Sequence, residues 1–385
     1  MANSNLTKAK RAKNDEFYTQ YNDIEKEIYA YIDYNPDVFR GKTILLPCDD
    51  PEWSNFTKFF AQNFERFGIK KLISTSYAVD SKIYKDGYQV TMFEESSPQY
   101  DSSKTRTRGK IFTLTRDISG DGKIDVDDLE WDYLAGDGDF NSPEVEALRD
   151  EADFIITNPP FSLFRDFLAW IVEAEKQFVI IGNMNAITYK EVFPLIKENK
   201  MWLGATGNGS DMVFAVPPGT KVDEKDKQKA ARLGYVGDYT RLGNSCWFTT
   251  IDHGRRHEPI QLMSMADNQR FNNKLKSNDN SYQQFDNYDA IEVPYTDAIP
   301  NDFDGVMGVP ISFLDKYCPD QFTILWRGGD IEWATSECDF FNPPKPEKAK
   351  EYKKQDKTWR IQNPYILKNG KVKTVYQRIF IRHIK

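Results

Sequence analysis

The chain has 385 residues and a formal net charge of −8, with 39% hydrophobic, 29% charged and 14% aromatic residues. That length suits two domains, and the composition excludes wholesale disorder. No run approaches the ~18 apolar residues of a membrane span, and the acidity speaks against a protein that coats DNA without specificity.

In chain order, residues 1–13 read as a flexible basic arm carrying Lys8, Lys10, Arg11 and Lys13. The opening MANSNLTKAKRAKND has no apolar run and does not read as a secretory leader. Residues 15–32 predict a helix, with Ile24, Ile28 and Ile32 four apart. KTILLP (42–47) predicts a buried strand, and SNFTKFFAQNFERFG (54–68) a helix capped by Ser54 and closed by Gly68. KKLISTSY (70–77) and KIFTLTR (110–116) read as strands around a polar insertion. DFIITNPPF (153–161) is a strand ending in Pro-Pro, followed by a helix over 162–176, a strand over 177–185 and a helix over 188–200. Apolar runs alternating with helices predict an α/β fold with a mixed, mostly parallel sheet. After residue 200 the alternation fades into strands at MWLGATGNGSDMVFAVP and NSCWFTTID, a charged insertion (221–234), an irregular stretch (265–300) and a basic tail ending in TVYQRIFIRHI. Cys48, Cys246, Cys318 and Cys338 are far apart and predict reduced thiols in a cytoplasmic protein. The predicted division is a basic arm (1–13), a catalytic core (14–205) with an acidic insertion at about 80–135, and a portion over 206–385 that completes the sheet and reads DNA.

The charge has two poles. Residues 117–153 hold 14 acidic and 2 basic side chains, and residues 341–385 hold 13 basic and 3 acidic ones. Tyr352, Trp359, Tyr365 and Tyr376 interleave with the basic tail, a pattern that suits a phosphate-tracking surface. Lys104-Thr-Arg-Thr-Arg-Gly-Lys110 is a second candidate of that kind.

The motif that carries chemistry is Asn158-Pro159-Pro160-Phe161 at the carboxyl end of a predicted strand, the edge where open α/β sheets collect ligands. An exocyclic amine on a nucleobase is a poor nucleophile, because its lone pair is delocalised into the ring. Acceptors on its N–H bonds free that pair, and the Asn158 oxygen and the Pro159 carbonyl can supply them. Pro159 and Pro160 stiffen the turn through their fixed φ, and Phe161 can stack on the base. A base inside a duplex must be flipped out to reach such a site. The alternative is a Pro-Pro turn that merely ends a strand. Asn342-Pro343-Pro344-Lys345 repeats NPP without the aromatic or a preceding strand, and reads as a basic loop. Asp139 in Gly136-Asp137-Gly138-Asp139-Phe140, and Asp49 and Asp50 after KTILLP, stand where a cofactor carboxylate is expected. The PCDDPEWSNF loop lacks the usual glycines.

Two further patterns compete with plain surface roles. Asp117, Ser119, Asp121, Lys123 and Asp128 fall at positions 1, 3, 5, 7 and 12 of a calcium loop, with Gly122 at position 6. The competing reading is an acidic turn. His253-Gly-Arg-Arg-His257 reads as a basic surface patch rather than a zinc site, because Gly254 and Pro259 oppose a helix.

Taken together, DEFYTQYNDIE (15–25), CDDPEWSNFTKFFAQNF (48–64), GDGDF (136–140), TNPPFSLFR (157–165), NAITYKEVF (185–193), NYDAIEV (287–293) and GVMGVPISFL (305–314) resemble, in order, the successive blocks of the EcoRI-type adenine-specific DNA methyltransferases. The resemblance implies a Rossmann-like core using S-adenosylmethionine and transfer to adenine N6 in double-stranded DNA. It implies a cofactor site of Phe17, Tyr18, Thr19, Asp49, Asp50, Asp139 and Phe140, and a second aromatic wall for the flipped base at Trp247 or Phe248. Both aromatics could equally be core residues of a strand. Service as the protective half of a restriction–modification pair or as a solitary methylase, and action as a monomer, are the further expectations. The competing functions are methyl transfer to cytosine N4 or to a protein glutamine, and a non-catalytic DNA-binding protein.

Overall fold

A computed structural model describes residues 17–49, 54–78, 97–206, 212–216, 222–276, 281–329, 338–375 and 377–384. The basic arm over 1–13, Asp50, Tyr376 and the first part of the 80–135 insertion lie outside the described residues. The chain divides into two compact units, Met1–Ala186 with Leu203–Gly254, and Ile187–Trp202 with Arg255–Lys385.

The first unit is built on a sheet of β2 (Thr43–Leu46), β3 (Lys71–Ser76), β4 (Lys110–Leu114), β5 (Glu130–Tyr133), β6 (Phe154–Thr157), β7 (Gln177–Asn183), β8 (Trp202–Leu203, of which Leu203 belongs to this unit) and β11 (Ser245–Thr249), in the order β5-β4-β3-β2-β6-β7-β11-β8. The middle four strands, β3, β2, β6 and β7, are mutually parallel. β4, β5 and β11 run antiparallel to their neighbours. The mixed α/β sheet read from the sequence is therefore present. β2 (TILL) and β6 (FIIT) are buried at every position, as continuous apolar runs covered on both faces must be. Within the stretch expected as an acidic insertion, β4 and β5 pair antiparallel at the edge of this sheet.

Helices α1 (Tyr21–Tyr34), α2 (Asn55–Gln62), α3 (Phe64–Phe67), α4 (Pro143–Glu151) and α5 (Phe164–Glu173) flank the sheet sequence. The helix expected over 54–68 breaks at Asn63. Ser54 caps its start by accepting from the Phe56 N–H, and Gly68 closes it at φ +65, the left-handed conformation that glycine adopts without strain. Phe56, Phe59 and Phe60 of α2 join Ile24, Ile28 and Tyr31 of α1 in the core. The helix expected from residue 15 begins at Tyr21 instead. Ahead of it, β1 (Tyr18–Thr19) pairs antiparallel with β9 (Met212–Ala215), which also pairs with β10 (Tyr239–Leu242). The charged insertion between β9 and β10 carries α7 (Glu224–Arg232).

In the second unit, β12 (Ile291–Glu292), β13 (Met307–Pro310), β17 (Arg378–His383) and β14 (Phe322–Arg327) form a sheet in that order. Phe285, Tyr288, Trp326 and Phe380 fill its core. Of the helix expected over 188–200, only α6 (Phe193–Lys197) is an α-helix, entered through Pro194. Short helices α8 (Met265–Phe271) and α9 (Asn273–Lys276) occupy the stretch read as irregular. The tail folds as α10 (Pro346–Gln355) with a hairpin of β15 (Tyr365–Lys368) and β16 (Lys371–Thr374). All four cysteines are unbridged.

Candidate active site

From β2 the sheet grows one way through β3 and the other way through β6, so the order reverses between β2 and β6. Such a switch point opens a crevice at the strands' carboxyl ends. Asn158–Phe161 follow β6 directly there. The Thr157 hydroxyl donates to the Pro47 carbonyl at 2.9 Å, tying this turn to the loop after β2. Pro159 and Pro160 are buried, while Asn158 and Phe161 are half-buried. The Asn158 carboxamide nitrogen donates to the Phe17 carbonyl at 2.7 Å, which leaves the Asn158 oxygen as an acceptor.

Aromatic rings gather beside this turn. Phe17 and Phe161 have ring centroids 5.7 Å apart, and Phe214 of β9 stands 6.0 Å from Phe17 and 6.4 Å, edge-on, from Phe161. Phe17 and Phe161 are thus brought together. Phe214 was missed, because MVFAVP reads as an ordinary strand and only the β1–β9 ladder carries it to the motif.

The loop after β2 is built without glycine. Cys48 takes the left-handed conformation at φ +66, where an L-residue other than glycine is strained. The neighbouring Asp49 is buried, and its carboxylate accepts from the Ser54 hydroxyl at 2.8 Å. Ser54 therefore caps α2 and fixes Asp49 at once. Asn55, the next residue, donates to the Thr19 carbonyl at 2.7 Å. The Thr19 hydroxyl is buried without a hydrogen-bond partner among the described residues.

The GDGDF segment meets the end of β3. The Ala78 N–H donates to the Asp137 carbonyl at 2.8 Å. Gly138, at φ +85, lies so close that a Cβ there would stand 2.4 Å from the Ser76 carbonyl oxygen. Asp139 is exposed and accepts from the Asn141 N–H and carboxamide. Tyr77 was not singled out by sequence. Its hydroxyl is pushed well above the usual tyrosine value, first by removal from water, then by the Cys48 thiol bonded to it and by Asp139 and Asp137. Phe140 is a core residue, enclosed by Phe167 at 5.1 Å and Trp170 at 5.6 Å.

Several expectations are corrected. Trp247 and Phe248 are both 0% exposed, packed against Phe56 and Phe164 respectively. A ring covered on all sides offers no face to a base, so the core alternative describes them. The calcium loop satisfies its own carboxylates. Asp128 accepts from the Ile118, Ser119 and Asp125 N–H groups, and Asp117 from those of Gly120 and Gly122. Lys123 and Asp121 share a local turn. Among the described residues no group of three or more His, Cys, Asp or Glu is arranged to hold a metal ion, so calcium has no support. The Arg255 and Arg256 patch is engaged within the second unit. Arg255 pairs with Asp315 at 2.8 Å, and Arg256 lies 4.0 Å from the Trp202 ring centroid. In the tail, Tyr352, Trp359 and Tyr365 are buried against one another as a small core. They hold the helix on the hairpin, while Lys350, Lys354, Lys371 and Lys373 are exposed.

Among the described residues no helix is long and apolar enough to cross a membrane. No solved structure gives a significant match. The family model described as adenine-specific methyltransferase EcoRI matches residues 5–384. The chain is 40% identical over 344 residues to the Type II methyltransferase M.EcoRI of Escherichia coli, covering 88% of this chain and 95% of that protein. It is 33% identical over 321 residues to the Type II methyltransferase M.MpnI of Mycoplasma pneumoniae, covering 83% and 84%. M.MgeORF184P of Mycoplasma genitalium, also a Type II methyltransferase, is 33% identical over 324 residues, covering 83% and 85%. With a crevice at the β2–β6 switch point and a family match running through both units, the chain belongs to the EcoRI family of adenine-specific methyltransferases.

Proposed function

We propose that Asn158–Phe161 form the target-base site of this adenine-specific DNA methyltransferase, with Asn158 Oδ1 and the Pro159 carbonyl accepting from the two N–H bonds of adenine N6. The observation that carries this reading is the position of the turn. It follows β6 at the switch point, with Phe161 and Phe17 half-buried beside it. Two acceptors on one amine draw its nitrogen toward tetrahedral geometry and localise the lone pair. Phe161 stacks on the flipped base, a contact worth ~1–3 kcal/mol. Holding base and donor in register supplies most of the rate.

The crevice fits the family's donor. Thr19 keeps a buried hydroxyl without a partner among the described residues. Asp49 lies at the end of β2, and Gly138 leaves no Cβ between its turn and β3. We assign Phe17, Tyr18 and Thr19, Asp49 and Asp139 to holding S-adenosylmethionine. When bound, it would supply a sulfonium methyl group whose carbon bonds to the amine nitrogen, the carbon–sulfur bond pair going to sulfur in the departing thioether and one amine proton to solvent.

We assign DNA contact to the exposed lysines of α10 and the β15–β16 hairpin, among them Lys350, Lys354, Lys371 and Lys373. We take the enzyme to act as a cytoplasmic monomer beside a restriction endonuclease.

The test is to incubate the protein with labelled S-adenosylmethionine and duplex DNA and map the methylated bases. N6-methyladenine at one sequence, abolished in Asn158→Ala, is expected. No adenine methylation, or equal transfer by wild type and Asn158→Ala, overturns the assignment. Replacing Lys350, Lys354 and Lys371 with Ala should lower the slope of log affinity against log salt by roughly 0.9 per lysine.

A further inference from the structure

A carboxamide can face a target amine with its oxygen or with its NH2 group. Only the oxygen activates the amine, because an NH2 group would oppose the amine's own N–H bonds. Something in the fold must choose between these two orientations. The Phe17 carbonyl can only accept a hydrogen bond. At 2.7 Å from Asn158 Nδ2 it engages the nitrogen end and turns the oxygen away from itself.

We propose that residues 17–19 orient the Asn158 carboxamide through the Phe17 carbonyl, and that Asn55 is the positioning residue that holds this segment in place. The inference rests on the assignment of Asn158 to the target amine. A two-residue strand cannot fix its own position. β1 is held on one side by β9, through Tyr18 opposite Ala215 and Thr19 opposite Phe214. On the other side Asn55 Nδ2 donates to the Thr19 carbonyl at 2.7 Å. Asn55 begins α2, which is capped by Ser54 and anchored in the core by Phe56, Phe59 and Phe60. The connection therefore runs from a rigid helix, through Asn55, to Thr19, along two residues of backbone to Phe17, and on to Asn158. Asn55 is required as an N–H donor. Its isostere aspartate has no proton to give at neutral pH and would repel the Thr19 carbonyl.

Asn55→Asp and Asn55→Ala are tested as the full chain by circular dichroism, DNA anisotropy and single-turnover methyl transfer to a duplex. The expected result is a transfer rate about 10- to 100-fold below wild type, with DNA affinity within about twofold. A second readout is the pH profile of Asn158→Asp. Its carboxylate would face the Phe17 carbonyl and could bond it only when protonated. Its rate is expected to fall about tenfold per pH unit above a raised carboxyl pKa, while wild type stays flat over the same range. Adding Asn55→Ala to Asn158→Asp frees the segment and should flatten that profile. Folded Asn55 variants that transfer as fast as wild type overturn the proposal. So does an Asn158→Asp rate that follows the wild-type profile, which decides the matter even where an Asn55 variant does not fold. A wild-type protein that methylates no adenine fails at an earlier step and overturns the site assignment itself.

Discussion

Gly138 joins the GDGDF turn to the end of β3, and its replacement by alanine separates two costs. At φ +85 an L-residue pays about 1–2 kcal/mol for the left-handed conformation. A Cβ 2.4 Å from the Ser76 carbonyl oxygen must in addition be relieved by moving the turn about 1 Å, because ordinary contact begins near 3.4 Å; overpacking of that kind costs about 1–3 kcal/mol. Together Gly138→Ala should destabilise by about 2–5 kcal/mol. Two control sites separate the terms. Gly122 has the same φ of +85 with nothing within 4 Å of its Cβ, and Gly136 has neither the φ nor the contact. Chemical denaturation should therefore rank the alanine variants Gly136, Gly122, Gly138, with Gly122→Ala near 1 kcal/mol. Calorimetric binding of S-adenosylmethionine should weaken at least about tenfold in Gly138→Ala, since the turn carrying Asp139 has shifted, and should be unchanged in Gly122→Ala. Equal stability losses at 138 and 122 would refute the steric reasoning. Unchanged donor binding in a destabilised Gly138→Ala would remove this turn from the cofactor site.

Three further outcomes follow from single residues. Cys48 at φ +66 should accept glycine within about 0.5 kcal/mol, while Cys48→Val, β-branched in the left-handed region, should lose about 1–2 kcal/mol by urea denaturation. Asp128 is held down to about 2 by the Ser119, Ile118 and Asp125 N–H groups. Its folded value lies below its unfolded one, so its contribution is present above the ordinary carboxylate range and fades as pH falls toward 2. Asp128→Asn should accordingly unfold at lower urea than wild type at pH 7, with the gap closing below about pH 4. The Arg378 guanidinium bonds both Glu292 oxygens, with side chains only 10% and 8% exposed. Arg378→Leu should lose about 3–5 kcal/mol, and adding Glu292→Leu should restore most of it, because the cost comes from the abandoned buried charge.

Much of this protein is determined by order along the chain. TILL, KLISTS, FIIT and QFVIIGN are buried strands because their apolar runs cannot remain in water, and Ser54 and Gly68 mark helix ends by local hydrogen bonding and backbone freedom. The Asn158 turn was legible because its pattern is local, four consecutive residues after a buried strand. Other features belong to long-range pairing. That β4, β5 and β11 run antiparallel depends on where the chain returns, which an apolar run does not encode. Aromatic residues show the same division. Trp247, Phe248, Phe140, Tyr352 and Tyr365 have the composition of stacking surfaces and are core, since a ring's chemistry is the same in either place and only its neighbours decide whether a face is open. The 117–128 loop matches ion-ligand spacing, yet its backbone N–H groups take up the Asp117 and Asp128 carboxylates. The bonds from Asn158 to Phe17 and from Asn55 to Thr19 join residues 141 and 36 positions apart. They arise only when the β2–β6 edge, α2 and β1 have assembled, so the residue types of the site are legible in the chain and their aim is set by the tertiary structure.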